Sequence, residues 1–261
     1  MTTTSVAPGT EALMEASVYD QFAELEERHF WFRGRRTIFS DLIERELGGR
    51  RDLEILEVGC GPGGMLPLLS RFGNVHGLDL AHDAMRYCRK RGFDRVVTGS
   101  GLELPFADDS FEMVALFDAI EHIPDDRRVL EEVRRILQPG GFVFISVPAY
   151  QFLFSQNDRL VHHQRRYTRS RLRKLLLETG FRPAKLTYFN TFLFPLILPA
   201  VLVLKAKEAL VGLPKQQTNL SHEFHKPMND LFAWFMGSER HLLRRMEFPF
   251  GHSLIGMAYV D

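Results

Sequence analysis

From Tyr19 to Leu47 apolar residues recur every three or four positions, a spacing that predicts amphipathic helix, and Gly34 predicts a break into two shorter helices. Short apolar runs bounded by glycine and charge follow. They predict buried strands at 53–58, 75–78, 94–98, 111–117, 142–147, 184–189 and 253–260. Helical spacing returns between them at 62–72, 81–91, 125–137 and 170–179. Strands alternating with helices at this interval predict an α/β fold with a parallel sheet covered on both faces. The stretch Asn190–His252 is too long for a hairpin and partly helical, so it reads as a cap inserted before the last strand. Residues 1–18 read as a disordered N-terminal segment, and 19–189 with 253–261 as one domain.

Composition narrows the classes of partner. A chain of 261 residues suffices for one such domain plus a cap. Lys plus Arg equals Asp plus Glu at 33 each, so no net field favours nucleic acid, and none is expected as a partner. The two cysteines, Cys60 and Cys88, have neither metal-ligand spacing nor the pattern of a disulfide framework. With an N-terminus lacking a basic and then apolar leader, this predicts a cytoplasmic protein.

Chemistry concentrates first at Glu57-Val58-Gly59-Cys60-Gly61-Pro62-Gly63-Gly64, where a strand gives way to a helix. Glycine is needed where the chain turns sharply and its backbone must approach a ligand closely. Asp79 ends the next strand, twenty residues beyond Gly59, where a carboxylate can accept hydrogen bonds from a ribose. Gly59, Gly61 and Gly64 also satisfy the dinucleotide pattern, so these residues alone leave NAD and S-adenosylmethionine both open.

Five blocks in order, Ile55–Gly63, Gly77–Ala81, Leu104–Val114, Glu121–Asp125 and Arg134–Pro148, resemble class I S-adenosylmethionine-dependent methyltransferases. The likeness is to the branch similar to ubiquinone and menaquinone methyltransferases. It implies a Rossmann-like, seven-stranded, mostly parallel sheet whose last strand is antiparallel, with S-adenosylmethionine as methyl donor and no metal. It also implies that Glu57, Gly59, Cys60, Gly61, Gly63 and Phe117 surround the methionine part, that Asp79 and Leu80 meet the ribose, and that Ser100, Gly101 and Leu102 edge the adenine. Ser100 departs from the family, which usually has an acidic residue there.

Methyl transfer from a sulfonium is an in-line displacement, so the protein must hold three atoms in line and exclude water. An acidic acceptor also needs a base. Asp118 stands at the end of the fourth strand, as a site residue or as a cap for the turn that follows. His122 reads as a packing or hydrogen-bonding residue. Glu27–Arg36 resembles the HFWFRGRR element of a bacterial subgroup, in which Trp31 could shield the sulfonium and Arg35 could pair with the methionine carboxylate; packing into the core is the other reading. Asp158–Thr168 resembles the same subgroup's D…H-x-R-R-Y-T element. Its His163 is the candidate general base, since an unperturbed imidazole titrates near about 6.5, and Arg166 and Tyr167 could orient the acceptor.

The most apolar run, Thr191–Leu204, is shorter than a membrane span of about 20 residues and is interrupted by Pro195 and Pro199. It predicts a buried cap helix, an oligomer contact or a surface that dips into a bilayer. The resemblance continues through Gly237-Ser238-Glu239-Arg240 and Pro249-Phe250-Gly251. The expected activity is methylation of a small-molecule acceptor, hydrophobic or lipid-linked. A non-catalytic module binding the same cofactor and an NAD-dependent oxidoreductase are the alternatives, the latter without a visible Tyr-x-x-x-Lys pair.

Overall fold

A computed structural model describes residues 23–211 and 224–261. The expected disordered segment, 1–18, lies outside the described residues. Seven strands form one sheet: β1 (Leu53–Val58), β2 (Gly73–Asp79), β3 (Val96–Thr98), β4 (Phe111–Phe117), β5 (Leu137–Pro148), β6 (Arg182–Phe189) and β7 (Ser253–Tyr259). Their order is β3-β2-β1-β4-β5-β7-β6. The first five are parallel, and β7 runs antiparallel between β5 and β6. Near-continuous Val, Ile, Leu and Phe in β1 and β4 leave both faces of the sheet buried, as a parallel sheet covered by helices requires.

Register decides where a ligand can sit. Val58 pairs with Leu78, Glu57 with Ala115, and Phe117 with Ser146, so the carboxyl ends of β1, β2, β4 and β5 reach one edge together. Pro148 of β5 pairs with Ser253, which brings the start of β7 to that same edge. The chain crosses over between β1 and β4, the place where open α/β sheets bind ligands.

Three expectations about elements are corrected. The break within 19–47 falls at His29, between helical residues 23–28 and the unbroken helix Phe30–Leu47, which His29 caps, its Nδ1 accepting from the Trp31 amide at 3.2 Å, and Gly48 closes at φ 57°. Gly34 does not break it; a Cβ there would lie 2.8 Å from the Met236 sulfur, so the glycine admits the helix Lys226–Ser238 against this one. After the glycine turn only Leu66–Leu69 is helical, because 62–65 are spent in the turn. Finally, β5 already begins at Leu137, and Pro139-Gly140-Gly141 lie within it, with a register shift against β4.

Among the described residues the other helices of eight residues or more are His82–Lys90, Asp126–Ile136, Arg169–Glu178 and Phe194–Val211. The last contains most of the apolar run. Leu193 and Phe194 enter the core, whereas Leu196, Leu202, Val203 and Leu210 remain exposed. No helix among the described residues is long and apolar enough to cross a membrane.

Candidate active site

The glycine turn is built on backbone geometry that side chains resist. Gly59, Gly61 and Gly63 have φ of 75°, 52° and 82°, and a Cβ on Gly59 would lie 2.6 Å from the Ala119 Cβ. Asp79 ties this turn to the next: one carboxylate oxygen accepts from the Gly61 amide at 2.8 Å and the other from the Ala81 amide at 2.9 Å. The Leu102 amide donates to the Ser100 hydroxyl at 3.0 Å, and Gly101 packs on Ile123 and Val58. These residues, with Leu80 and Gly63, lie along the carboxyl edge but not in the lining of the central cavity.

That cavity, about 270 Å³, opens beside the turn. One wall holds Glu57, Gly59, Cys60, Gly61 and Phe117, with Trp31 and Arg35 from the helix above. Trp31 and Arg35 are not separate candidates, for the guanidinium lies 4.3 Å from the Trp31 ring centroid and donates to the Asp118 carboxylate. Asp118 takes φ 53° at the end of β4, which aims its carboxylate at that helix. Burial raises its pKa, outweighing the lowering by Arg35, His163 and Ser146. Glu57, buried with Oε2 unpartnered, is pushed well up by burial and by its anionic neighbours.

Sequence reasoning missed Glu26. Its buried carboxyl crosses the turn so closely that a Cβ on Gly64 would meet Glu26 Oε2 at 2.2 Å. Burial, against Arg35, Arg91 and Arg36, raises its pKa to about 7. An acid among the charged residues of 23–28 carries no local mark of this position.

The opposite wall comes from the loops after β4 and β5 and from the start of β7. Asp158 is fully buried and accepts from Arg166 Nε at 2.7 Å and Nη2 at 3.0 Å, and from the Ser155 amide at 2.8 Å. It also meets His163 Nδ1 at 2.8 Å. Burial alone would raise Asp158, but the hydrogen bonds from His163 and Arg166 hold it far below the usual carboxylate range. A carboxylate only accepts, so Nδ1 carries the hydrogen and a neutral His163 presents the lone pair of Nε2. That nitrogen points to Glu121 Oε1, 3.8 Å away. Glu121 is completely buried, with no hydrogen-bond partner for either oxygen, and burial with Asp118 nearby raises its pKa well above the ordinary value. The His122 ring lies edge-on to His163, with centroids 4.6 Å apart; withdrawal from water and the neighbouring imidazole push its pKa down to about 3. His252 lines the same cavity with Nδ1 buried and unpartnered, another residue the sequence did not single out.

Tyr167 is not brought to this site. Its ring is wholly buried and its hydroxyl donates to Asp126 at 2.9 Å, away from the cavity lining. Burial and the Asp126 carboxylate both raise its pKa, so it is poorly suited to lose a proton. His162, at φ 62°, is likewise outside the lining, which separates the two neighbouring histidines in favour of His163.

The crossover site, the glycine turn and the acidic end of β2 coincide with residues 56–145, which match the family model described as methyltransferase domain. Over these residues the chain is similar to that methyltransferase family. This domain is similar to curated relatives over part of their length. A probable S-adenosylmethionine-dependent methyltransferase of Mycolicibacterium smegmatis is 33% identical over 162 residues, 60% of this chain and 61% of that one. The phthiotriol/phenolphthiotriol dimycocerosates methyltransferase of Mycobacterium tuberculosis is 40% identical over 104 residues, 37% of each chain. The demethylmenaquinone methyltransferase of Staphylococcus aureus is 30% identical over 117 residues, 42% of this chain and 48% of that one. The chain thus spans less than two thirds of the length of these relatives. Among solved structures, a possible histamine N-methyltransferase from Thermotoga maritima superposes with a TM-score of 0.55 at 16% identity, covering 95% of this chain and 100% of that one. The [4+2]-cyclase SpnF gives 0.54 at 16% identity, covering 86% and 80%. The methyltransferase domain fold alone therefore does not dictate the reaction.

Proposed function

We propose that the protein transfers the methyl group of S-adenosylmethionine to a small-molecule acceptor with an apolar portion. One observation carries this reading: a single cavity joins the glycine turn to a second wall of polar groups, with no side chain of the described residues filling the gap between them. The cofactor supplies an electrophilic methyl on a sulfonium. On the first wall, Glu26 and Glu57 are placed to meet the methionine ammonium, and Arg35, steadied by Asp118, its carboxylate. Asp79 and the Ser100–Leu102 turn are left for ribose and adenine. The buried carboxyls of Glu26 and Glu57 suit the ammonium, because a cation entering among Glu26, Glu57 and Asp118 favours their charged forms.

On the second wall, the acceptor's proton has a destination in His163 Nε2, which the buried Asp158 holds in place. Pro148, Val161 and Val201 give this half an apolar character suited to a hydrophobic acceptor. Val201 belongs to the helix whose outer side exposes Leu196 and Leu210 and which lies near the exposed Phe152, so a lipid-linked acceptor could reach the cavity from an apolar surface. Phthiotriol dimycocerosates and demethylmenaquinone in the names of two relatives favour the same class.

Calorimetric titration tests the cofactor. S-adenosylhomocysteine is expected to bind one to one and NAD not at all; NAD binding without the homocysteine product would replace this reading by an oxidoreductase. Sedimentation with liposomes tests the acceptor class, and a protein that ignores them would remove the lipid-linked version.

A further inference from the structure

Glu121, His122 and His163 each offer a ligand atom, and these atoms all lie within 4.8 Å of one another. We propose that they bind one divalent transition-metal ion of the zinc type, facing the acceptor half of the cavity. Two imidazoles and one carboxylate form the donor set of open catalytic sites, where three protein ligands leave a further position for water or substrate. Bond lengths of about 2.0–2.1 Å would draw the atoms together by roughly an ångström, within the reach of side-chain torsions.

Three further features point to a cation. Both oxygens of Glu121 are buried without a hydrogen-bond partner, and this carboxyl lines the cavity. Such a group is costly unless something positive or a proton meets it. Across from it His163 Nε2 lies 3.8 Å from Oε1, and two electron-rich atoms facing each other need an acid between them. Behind His163 stands Asp158, itself fixed by Arg166 and the Ser155 amide. A carboxylate holding the remote nitrogen of an imidazole is the usual support of a metal-ligating histidine, fixing its tautomer and raising its basicity.

A lone pair serves a metal or a proton, not both, so His163 takes the acceptor's proton directly only in the ion-free protein. An acceptor hydroxyl coordinated in the open position would instead be acidified by the ion.

The test uses the full-length protein, stripped with a chelator and titrated with Zn²⁺ by calorimetry and with Co²⁺ by visible absorption. No acceptor is needed, so failure here is distinct from failure of the methyl-transfer reading, which S-adenosylhomocysteine binding reports separately. One equivalent is expected to bind, with the intense visible bands of low-coordinate cobalt. Glu121→Gln and His163→Ala should each abolish those bands, and Asp158→Asn, which touches no ion, should weaken binding by about 10–100-fold. Circular dichroism checks that each variant is folded. If Asp158→Asn fails to fold, Glu121→Gln, nearly the same shape, decides alone. Absence of binding to the wild-type protein, or binding unchanged in Glu121→Gln, would overturn the site.

Discussion

Arg35 lies beside three buried acids, and its replacement by methionine should show what it holds in check. Arg35 lowers the proton affinity of Asp118, Glu26 and Glu57, yet burial keeps all three above their ordinary values. In Arg35→Met the long apolar side chain still fills the space beside Trp31, but the Asp118 carboxylate loses its partner. Removing one member of a buried ion pair typically costs about 3–5 kcal/mol. The carboxyl can limit that loss by taking a proton. From its ordinary pKa of 3.8, staying protonated at pH 7 costs about 4.4 kcal/mol, which is the ceiling for Asp118 alone. Because part of that shift exists already in the wild type, a loss of about 2–4 kcal/mol is expected. The sign follows from linkage. A carboxyl whose folded pKa is raised above its unfolded value destabilises the fold progressively as pH rises through that interval, and not at all below the unfolded pKa. The gap between variant and wild type should therefore be largest at pH 8 and shrink toward pH 5, by at most about 1.4 kcal/mol per pH unit for each carboxyl involved. Urea unfolding of both proteins at pH 5, 6, 7 and 8 measures it, and the double variant Arg35→Met with Asp118→Asn should recover the Asp118 share. A gap that does not change with pH, or a loss under about 1 kcal/mol at pH 8, would refute the account of Arg35 as a counter-charge.

The other predictions concern the turn, a corrected residue and the cap. Gly59→Ala forces a side chain into left-handed backbone and against Ala119, and should weaken S-adenosylhomocysteine at least tenfold by calorimetry; Gly61→Ala, with open space around its Cβ, should cost only the backbone strain of about 1–2 kcal/mol in urea unfolding. Tyr167→Phe removes a hydrogen bond to Asp126 and should lower stability by about 1 kcal/mol while leaving turnover at the wild-type rate. Glu239 is fully buried and raised by burial to about 7, so its charge weakens the fold as pH rises from 4.5 to 7. Glu239→Gln, which keeps an oxygen for the Phe192 amide, should therefore gain about 1–3 kcal/mol at pH 8 and little at pH 5.

What the sequence revealed depended on the range of the interaction that fixes each residue. β1 and β4 are local events, apolar runs long enough to bury and ended by glycine or charge, and they appear where expected. The glycine turn and Asp79 are spaced by the β-α-β unit itself. Gly34 was misread because its missing side chain makes room for Met236, about 200 positions away, and not for a local bend. Glu26 was invisible for the same reason: its importance comes from lying across Gly64. His163 stood out through its neighbours in sequence, but its pairing with Asp158 and its approach to Glu121 exist only after β4 and β5 bring their loops side by side. Tyr167 shares that motif and faces the other way.

The helix Phe30–Leu47 is fastened to residues near the opposite end of the chain: the Phe30 amide donates to Asn229, the Asn229 side chain donates to the Arg28 carbonyl, Arg33 pairs with Asp230, and Gly34 receives Met236. On a ribosome this helix must wait for the Lys226–Ser238 segment before that partner exists. Its Phe39 meets Phe117 and Phe144 earlier, but the contacts to 229–236 come last, and such distant contacts close slowly. The roof of the cavity is consequently among the last parts to settle, and truncation near residue 230 would release the N-terminal helix as surely as deleting it.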